Sequence, residues 1–192
     1  MNALIPIANG SEELEAITLV NVLRRAGINV TLASTGPERS VRCARSTVIE
    51  ADCLLGKLAI NHPFDLIAVP GGMPGAANLA TSLGLLHRLQ QQDRAGKWVA
   101  AICAAPAVVL GAAGVTAGRV MTGYPGFGPL LAQSGAFINN TDDVVVDGNL
   151  ITSRGPATAL PFALTLVELL CGKPIRDDVA AAMLYQDGSV SS

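Results

Sequence analysis

The sequence predicts an α/β fold, with a mostly parallel central sheet and helices on both of its faces. Three observations predict it. Short apolar runs (Ala3 to Ala8, Ile28 to Ser34, Phe64 to Val69, Trp98 to Ile102) alternate with segments of helical spacing. Half of the chain is hydrophobic, enough to bury a sheet on both sides. The 20 glycines and 11 prolines fall between the apolar runs and form no low-complexity tract. The length of 192 residues suits one domain spanning 1–192.

Taken in order, Ala3 to Ala8 reads as a strand that Asn9-Gly10 breaks. Ser11 is placed to cap a helix whose first turn carries Glu12 and Glu13. Leu14, Ile17, Val20, Val22 and Leu23 recur at helical spacing until Gly27 ends that helix. Ile28 to Ser34 alternates as a strand does, and Val41 to Cys43 with Thr47 to Ala51 reads as a short hairpin. Phe64 to Val69 is a strand ending at Pro70-Gly71-Gly72, and Leu83 to Arg94 is a helix. Trp98 to Ile102 is a strand running into an alanine-rich helix. Arg119 to Thr122 is a short strand, followed by a turn at Tyr124-Pro125-Gly126. Asp147-Gly148 joins Val144 to Val146 and Leu150 to Thr152 in a hairpin. Thr158 to Leu170 is helical, Gly172-Lys173-Pro174 stops it, and Gly188 to Ser192 reads as a frayed tail.

Composition narrows the function. The formal net charge is −2, and the one adjacent basic pair, Arg24-Arg25, lies in a predicted helix, so no patch tracks a phosphate backbone. The N-terminal residues lack a basic region ahead of an apolar one, unlike a signal peptide. The four cysteines, Cys43, Cys53, Cys103 and Cys171, form no CxxC pair, which argues against a zinc knuckle or a thioredoxin motif. A reducing cytoplasm is the expected setting. Trp98 to Gly118 carries no charge, but Pro106, Gly111 and Gly114 suit a buried strand, turn and core helix better than a membrane span.

Cys103 is the most informative residue. It stands at a strand-to-helix turn among small neighbours, where free helix N–H groups stabilise a thiolate and leave room for a substrate. Pro106 suits the first helical turn. On position alone, Cys103 is equally a buried packing residue. In a parallel sheet, ligands bind beyond the carboxyl ends of the strands. Asn9 to Glu15, Pro70 to Pro74 and Ile102 to Pro106 all fall at that edge, which favours a site.

Four motifs occur in order: Gly10-Ser11-Glu12-Glu13-Leu14-Glu15, Val69-Pro70-Gly71-Gly72, Ala101-Ile102-Cys103-Ala104-Ala105-Pro106 and Thr152-Ser153-Arg154-Gly155-Pro156. Together they resemble the DJ-1/ThiJ/PfpI superfamily, nearest to the branch of the Parkinsonism-associated deglycase and bacterial YajL. The resemblance covers nearly the whole chain. It implies a flavodoxin-like three-layer sandwich with a nucleophile elbow, a homodimer, and neither metal nor bound cofactor.

The resemblance makes Cys103 the nucleophile and Glu15 its carboxyl partner. A protonated Glu15 would donate to the thiolate, so a raised value for Glu15 and a depressed one for Cys103 are expected. A solvated helix face is the other reading of Glu15. The N–H groups of Gly72 and Ala104 match the oxyanion donors, beside Gly71. Arg25 and Arg45 match positions near the pocket and the dimer contact, and Arg154, Gly155 and Pro156 match a pocket wall. Ordinary exposed arginines and an ordinary turn are the competing readings.

Tyr124 stands where many members carry a histidine. His62 and His87 read as solvated, so no Cys–His pair is expected, and hydrolytic activity is expected to be weak. Ala104 after the nucleophile, where the protease-like branch has histidine, argues against that branch. The missing histidine argues likewise against glutamine amidotransferases. The resemblance implies a glyoxalase or deglycase acting on reactive dicarbonyls or early glycation adducts of protein or nucleotide. The competing classes are a redox-sensing chaperone or stress protein whose Cys103 oxidises to sulfinic acid, and a structural domain without chemistry.

Overall fold

Five of the six residues of β1 (Asn2–Ile7) are buried, because this strand lies in the middle of a sheet covered on both faces. In this computed structural model, which describes residues 1–186, β1 pairs in parallel with β2 (Asn29–Ser34) on one side and β6 (Leu66–Val69) on the other. Beyond β2 lies β5 (Cys53–Leu54). Beyond β6 come β7 (Trp98–Ile102) and β11 (Leu150–Ser153), also parallel. The antiparallel β10 (Val144–Asp147) closes that edge through the predicted hairpin at Gly148, which has φ +59°. The strand order reverses at β1, so the loops after β1 and β6 emerge side by side at the carboxyl ends of the strands.

One helical layer holds α1 (Glu13–Arg25), α6 (Ala159–Cys171) and α7 (Lys173–Ala182), which pack on one another in that order. The other holds α2 (Gly75–Ala80), α3 (Leu83–Arg94) and the segment after β7, a wide turn over Pro106–Leu110 continuing into α4 (Gly111–Ala113). A hairpin of β3 (Ser40–Arg42) and β4 (Val48–Glu50) stands off the sheet, as does the parallel pair β8 (Val120–Met121) and β9 (Phe137–Ile138), linked by α5 (Gly128–Gln133). No helix among the described residues is long and apolar enough to cross a membrane.

Three expectations change. Ser11 does not cap α1: its Oγ accepts from the Ala8 N–H at 3.0 Å, and the Glu12 carboxylate caps instead, accepting from the Glu15 N–H at 2.9 Å. Leu14 and Ile17 belong to the outer face of α1, 51% and 44% exposed, while Glu15 turns inward with Ala16, Leu19, Val22 and Leu23. Gly172-Lys173-Pro174 ends α6 but also begins α7, since proline is tolerated in a first helical turn. The predicted frayed tail, Gly188 to Ser192, lies outside the described residues.

Candidate active site

The chain leaves β7 through Cys103, whose φ of +64° puts an L-residue in the left-handed region. That conformation costs about 1–2 kcal/mol. Two bonds hold it there: the Cys103 N–H donates to the Ser153 carbonyl at 3.0 Å, and the Cys103 carbonyl accepts from the Tyr124 N–H at 2.8 Å. The Thr122 N–H donates to Thr152 Oγ1 at 2.9 Å, tying the Tyr124 segment to β11. Cys103 is 8% exposed.

Three loops meet at this elbow. Gly71 comes so close that a β-carbon on it would stand 2.6 Å from Cys103 Cβ. Gly72, at φ +89°, has no room for a side chain against the backbone of Gly10 and Glu12. The Glu12 N–H donates to the Gly71 carbonyl at 3.0 Å. Hence the loop after β1, which starts α1, and the loop after β6 interlock as backbone against backbone. Gly10 and Gly75 share in this contact. They were not singled out in the sequence, although Gly10 opens the first motif.

The interlock places Glu15. Its side chain is fully buried, and Oε2 accepts from the Gly71 N–H at 2.7 Å. Oε1 is buried without a hydrogen-bond partner. Burial pushes the Glu15 carboxyl up to about 7, against the pull of the Gly71 N–H, with the Glu12 charge raising it further. Glu15 therefore lies on the buried face of α1 rather than on a solvated one.

The depressed value expected for Cys103 does not hold. Burial, and then the charge on Glu15, push the thiol up to about 12, although the N–H groups of Gly72 and Ala104 both pull it down. The reason is depth: the close approach of Gly71 and the Ala104-Ala105 turn leave the sulfur little water. Burial thus favours the neutral form of both groups, the carboxyl and the thiol.

Tyr124, Arg154, Gly155 and Pro156 line a depression of about 260 Å³. The Arg154 guanidinium lies 3.7 Å from the Asp143 carboxylate there. Cys103 does not line this cavity and meets it through the backbone bond to Tyr124. Two arginines fall elsewhere in this chain. Arg25 lies in the last turn of α1, ten residues from Glu15, and its Nε donates to Asn21 Oδ1 at 2.8 Å. Arg45 is exposed on the β3–β4 hairpin, where its backbone N–H, not its guanidinium, is held by Glu13 at 3.0 Å. His62 and His87 are exposed. Thr152, whose hydroxyl anchors the Tyr124 segment, lies one residue before Ser153 in the fourth motif and drew no attention in the sequence.

The sequence matches the DJ-1/PfpI family over residues 1–169. The chain belongs to the DJ-1/PfpI family. Other similarities agree with this. Protein DJ-1 homolog A of Arabidopsis thaliana is 42% identical over 183 residues, 95% of this chain but 46% of that longer protein, so the chain spans about half of it. The glutathione-independent glyoxalase DJR-1.2 of Caenorhabditis elegans is 39% identical over 162 residues, 84% of each protein. The solved structure of Drosophila melanogaster DJ-1beta superposes with a TM-score of 0.92 at 41% identity, covering 96% of this chain and 98% of that one. The DJ-1/PfpI fold, flavodoxin-like with a curled parallel sheet between helices, is thus shared across its length.

Proposed function

We propose that this chain is a cofactor-independent glyoxalase-type enzyme, acting on reactive dicarbonyls such as methylglyoxal and on early glycation adducts. The observation that carries the reading is that a buried carboxyl, Glu15, and the buried thiol of Cys103, delivered by different loops, meet at Gly71: Glu15 Oε2 accepts the Gly71 N–H at 2.7 Å, and the Gly71 backbone packs against Cys103 Cβ. The glyoxalase named among its relatives supports the substrate class.

In this reading the ionised Glu15 carboxylate is the base. As Cys103 Sγ bonds to the aldehyde carbon, its proton passes to Glu15 and the carbonyl electron pair moves to oxygen. The N–H groups of Gly72 and Ala104, which lower the thiol pKa, would meet that oxyanion. Glu15 then returns the proton to the oxygen, giving a hemithioacetal. As a carboxylate again, Glu15 removes the hydrogen from the thiol-bearing carbon and delivers it to the neighbouring carbonyl carbon. The hydroxyl proton crosses to the other oxygen. The product is a thioester of a 2-hydroxy acid. Water cleaves it to the hydroxycarboxylate, a proton and the free thiol. Deglycation shares the first addition.

Lactate formation from methylglyoxal, measured in wild type, Cys103→Ser and Glu15→Gln, tests this. Both variants are expected to lose activity by at least about a hundredfold, within the usual reach of a nucleophile or an acid–base group. Wild-type rates in both would overturn it.

The same N–H pair favours a second reading. Those donors and a protonated Glu15 would hold a sulfinate formed from the thiol and two equivalents of hydrogen peroxide, with two waters released. Intact mass after mild peroxide decides it: a gain of two oxygens, absent in Cys103→Ser, is expected.

A further inference from the structure

A cavity of about 180 Å³ opens among residues that precede β6 and β7, at the sheet edge opposite Cys103. Phe64 and Ile67, 3% and 1% exposed, form its apolar floor. Arg88, Gln92, His62 and Lys97 stand around it. Lys97 and Cys103 bracket β7, which puts them about 20 Å apart along an extended strand.

Arg88 is 4% exposed. Its Nη1 donates to the Ile60 carbonyl at 3.0 Å, and its Nη2 to those of Leu58 and Ala59 at 3.0 and 2.8 Å. Its Nε–H is buried and has no acceptor. Lys97 Nζ donates to the Phe64 carbonyl at 3.1 Å. Among the described residues neither cation enters an ion pair, and no Asp or Glu lines the cavity. The nearby acids are engaged: Asp65 accepts from the Asn2 N–H, and Asp93 pairs with Arg119 at 2.8 Å. Burial works against the charge of Arg88. Buried charges are ordinarily paired. Here two cations line a cavity with an apolar floor and no anion opposite them, and the Arg88 Nε–H beside it is left without an acceptor.

We infer that this cavity binds a small carboxylate with a short apolar end, its anionic group facing Arg88 and Lys97 and its apolar end against Phe64 and Ile67. This site is independent of the activity proposed at Cys103.

Butyrate titrated into the full chain, followed by amide NMR shifts, tests the inference. Saturable shifts are expected at the amides of Asn61, His62, Phe64 and Lys97, and equally in Cys103→Ser. Lys97→Gln, at the cavity rim, is expected to weaken binding on the order of tenfold. Arg88→Gln is expected to abolish it, with thermal unfolding checking that this variant folds. Butanol, with the same apolar end and no charge, is expected to give no saturable shift. Four results would overturn the assignment: no saturation with butyrate, an equal response to butanol, inorganic phosphate binding as tightly, or a butyrate affinity that Lys97→Gln leaves unchanged.

Discussion

The Gly71 amide donates to Glu15 Oε2 at 2.7 Å, while the α-carbon of the same glycine sits where a β-carbon would meet Cys103 Cβ at 2.6 Å. One residue thus sets both the depth of the acid and the depth of the sulfur. A side chain at Gly71 would also press on the Ile102 carbonyl at 2.9 Å and the Ala104 nitrogen at 3.0 Å, both backbone atoms that cannot rotate away. Gly71→Ala is therefore expected to lower stability by about 1–3 kcal/mol, the usual cost of overpacking. Lactate formation is expected to fall by more than about tenfold, because the shift separates the two reacting groups. Urea unfolding and steady-state kinetics read these separately, and an unchanged pair of values would refute the steric account.

Glu15 makes stability depend on pH in a direction unusual for a carboxylate. Its folded value, about 7, lies above its ordinary 4.5, so the native state holds the proton more tightly than the unfolded chain. The stabilisation is fully present below pH 4.5 and is lost as pH rises through about 7, a span worth ~3 kcal/mol at ~1.4 kcal/mol per unit. Glu15→Gln is expected to flatten this slope and to be the more stable protein at pH 8. Activity runs the other way: the base form is populated above about 7, so kcat/KM of the wild type is expected to rise through that pH. Denaturant titrations from pH 4 to 9 beside a pH–rate profile check both halves.

How far the sequence carried these conclusions differs by residue. Cys103 was legible because an apolar strand, a run of small residues and Pro106 leave few other ways to turn. Glu15 was left undecided by phase, since an apolar stripe through Leu14 and Ile17 competes with the one actually buried. A buried acid beside exposed leucine and isoleucine breaks the usual partition, and only the position of α1 on the sheet reveals it. The titration of Cys103 is not legible in the sequence, because local motifs report the N–H groups around a sulfur, not the depth at which three loops enclose it. Arg25 followed from resemblance alone, and α1 carries it to the far end of the helix from Glu15.

Charge on Glu15 is the second cause, after burial, of the high Cys103 value near 12. Removing that charge is expected to lower the thiol pKa by roughly one to three units, the range for a close like charge in a partly buried site. Thiolate absorbance followed against pH in wild type and Glu15→Gln reads the shift directly. Alkylation of Cys103 at pH 8 is expected to accelerate on the order of tenfold or more in the variant, since the thiolate is the reactive form. A Cys103 that titrates identically in both proteins would show that the two groups are uncoupled, and the proposed proton transfer between them would go with it.

Thr152 bears on the site from behind. It is 1% exposed, and its hydroxyl accepts from the Thr122 N–H at 2.9 Å, two residues before the Tyr124 N–H that holds the Cys103 carbonyl. Thr152→Val keeps the shape but leaves the Thr122 N–H buried without an acceptor, at a cost of about 1–3 kcal/mol. The Tyr124 segment is expected to loosen first, with faster amide exchange at Thr122 and Tyr124 than at the strand residues of β7. Because Tyr124 also lines the depression beside Arg154, KM for bulky glycated substrates is expected to rise more than KM for methylglyoxal. Thr152→Ser restores the hydroxyl and is expected to recover both the exchange protection and the KM ratio. A uniform loss of stability with an unchanged ratio would mean that Thr152 supports the sheet alone and has no hold on the pocket wall.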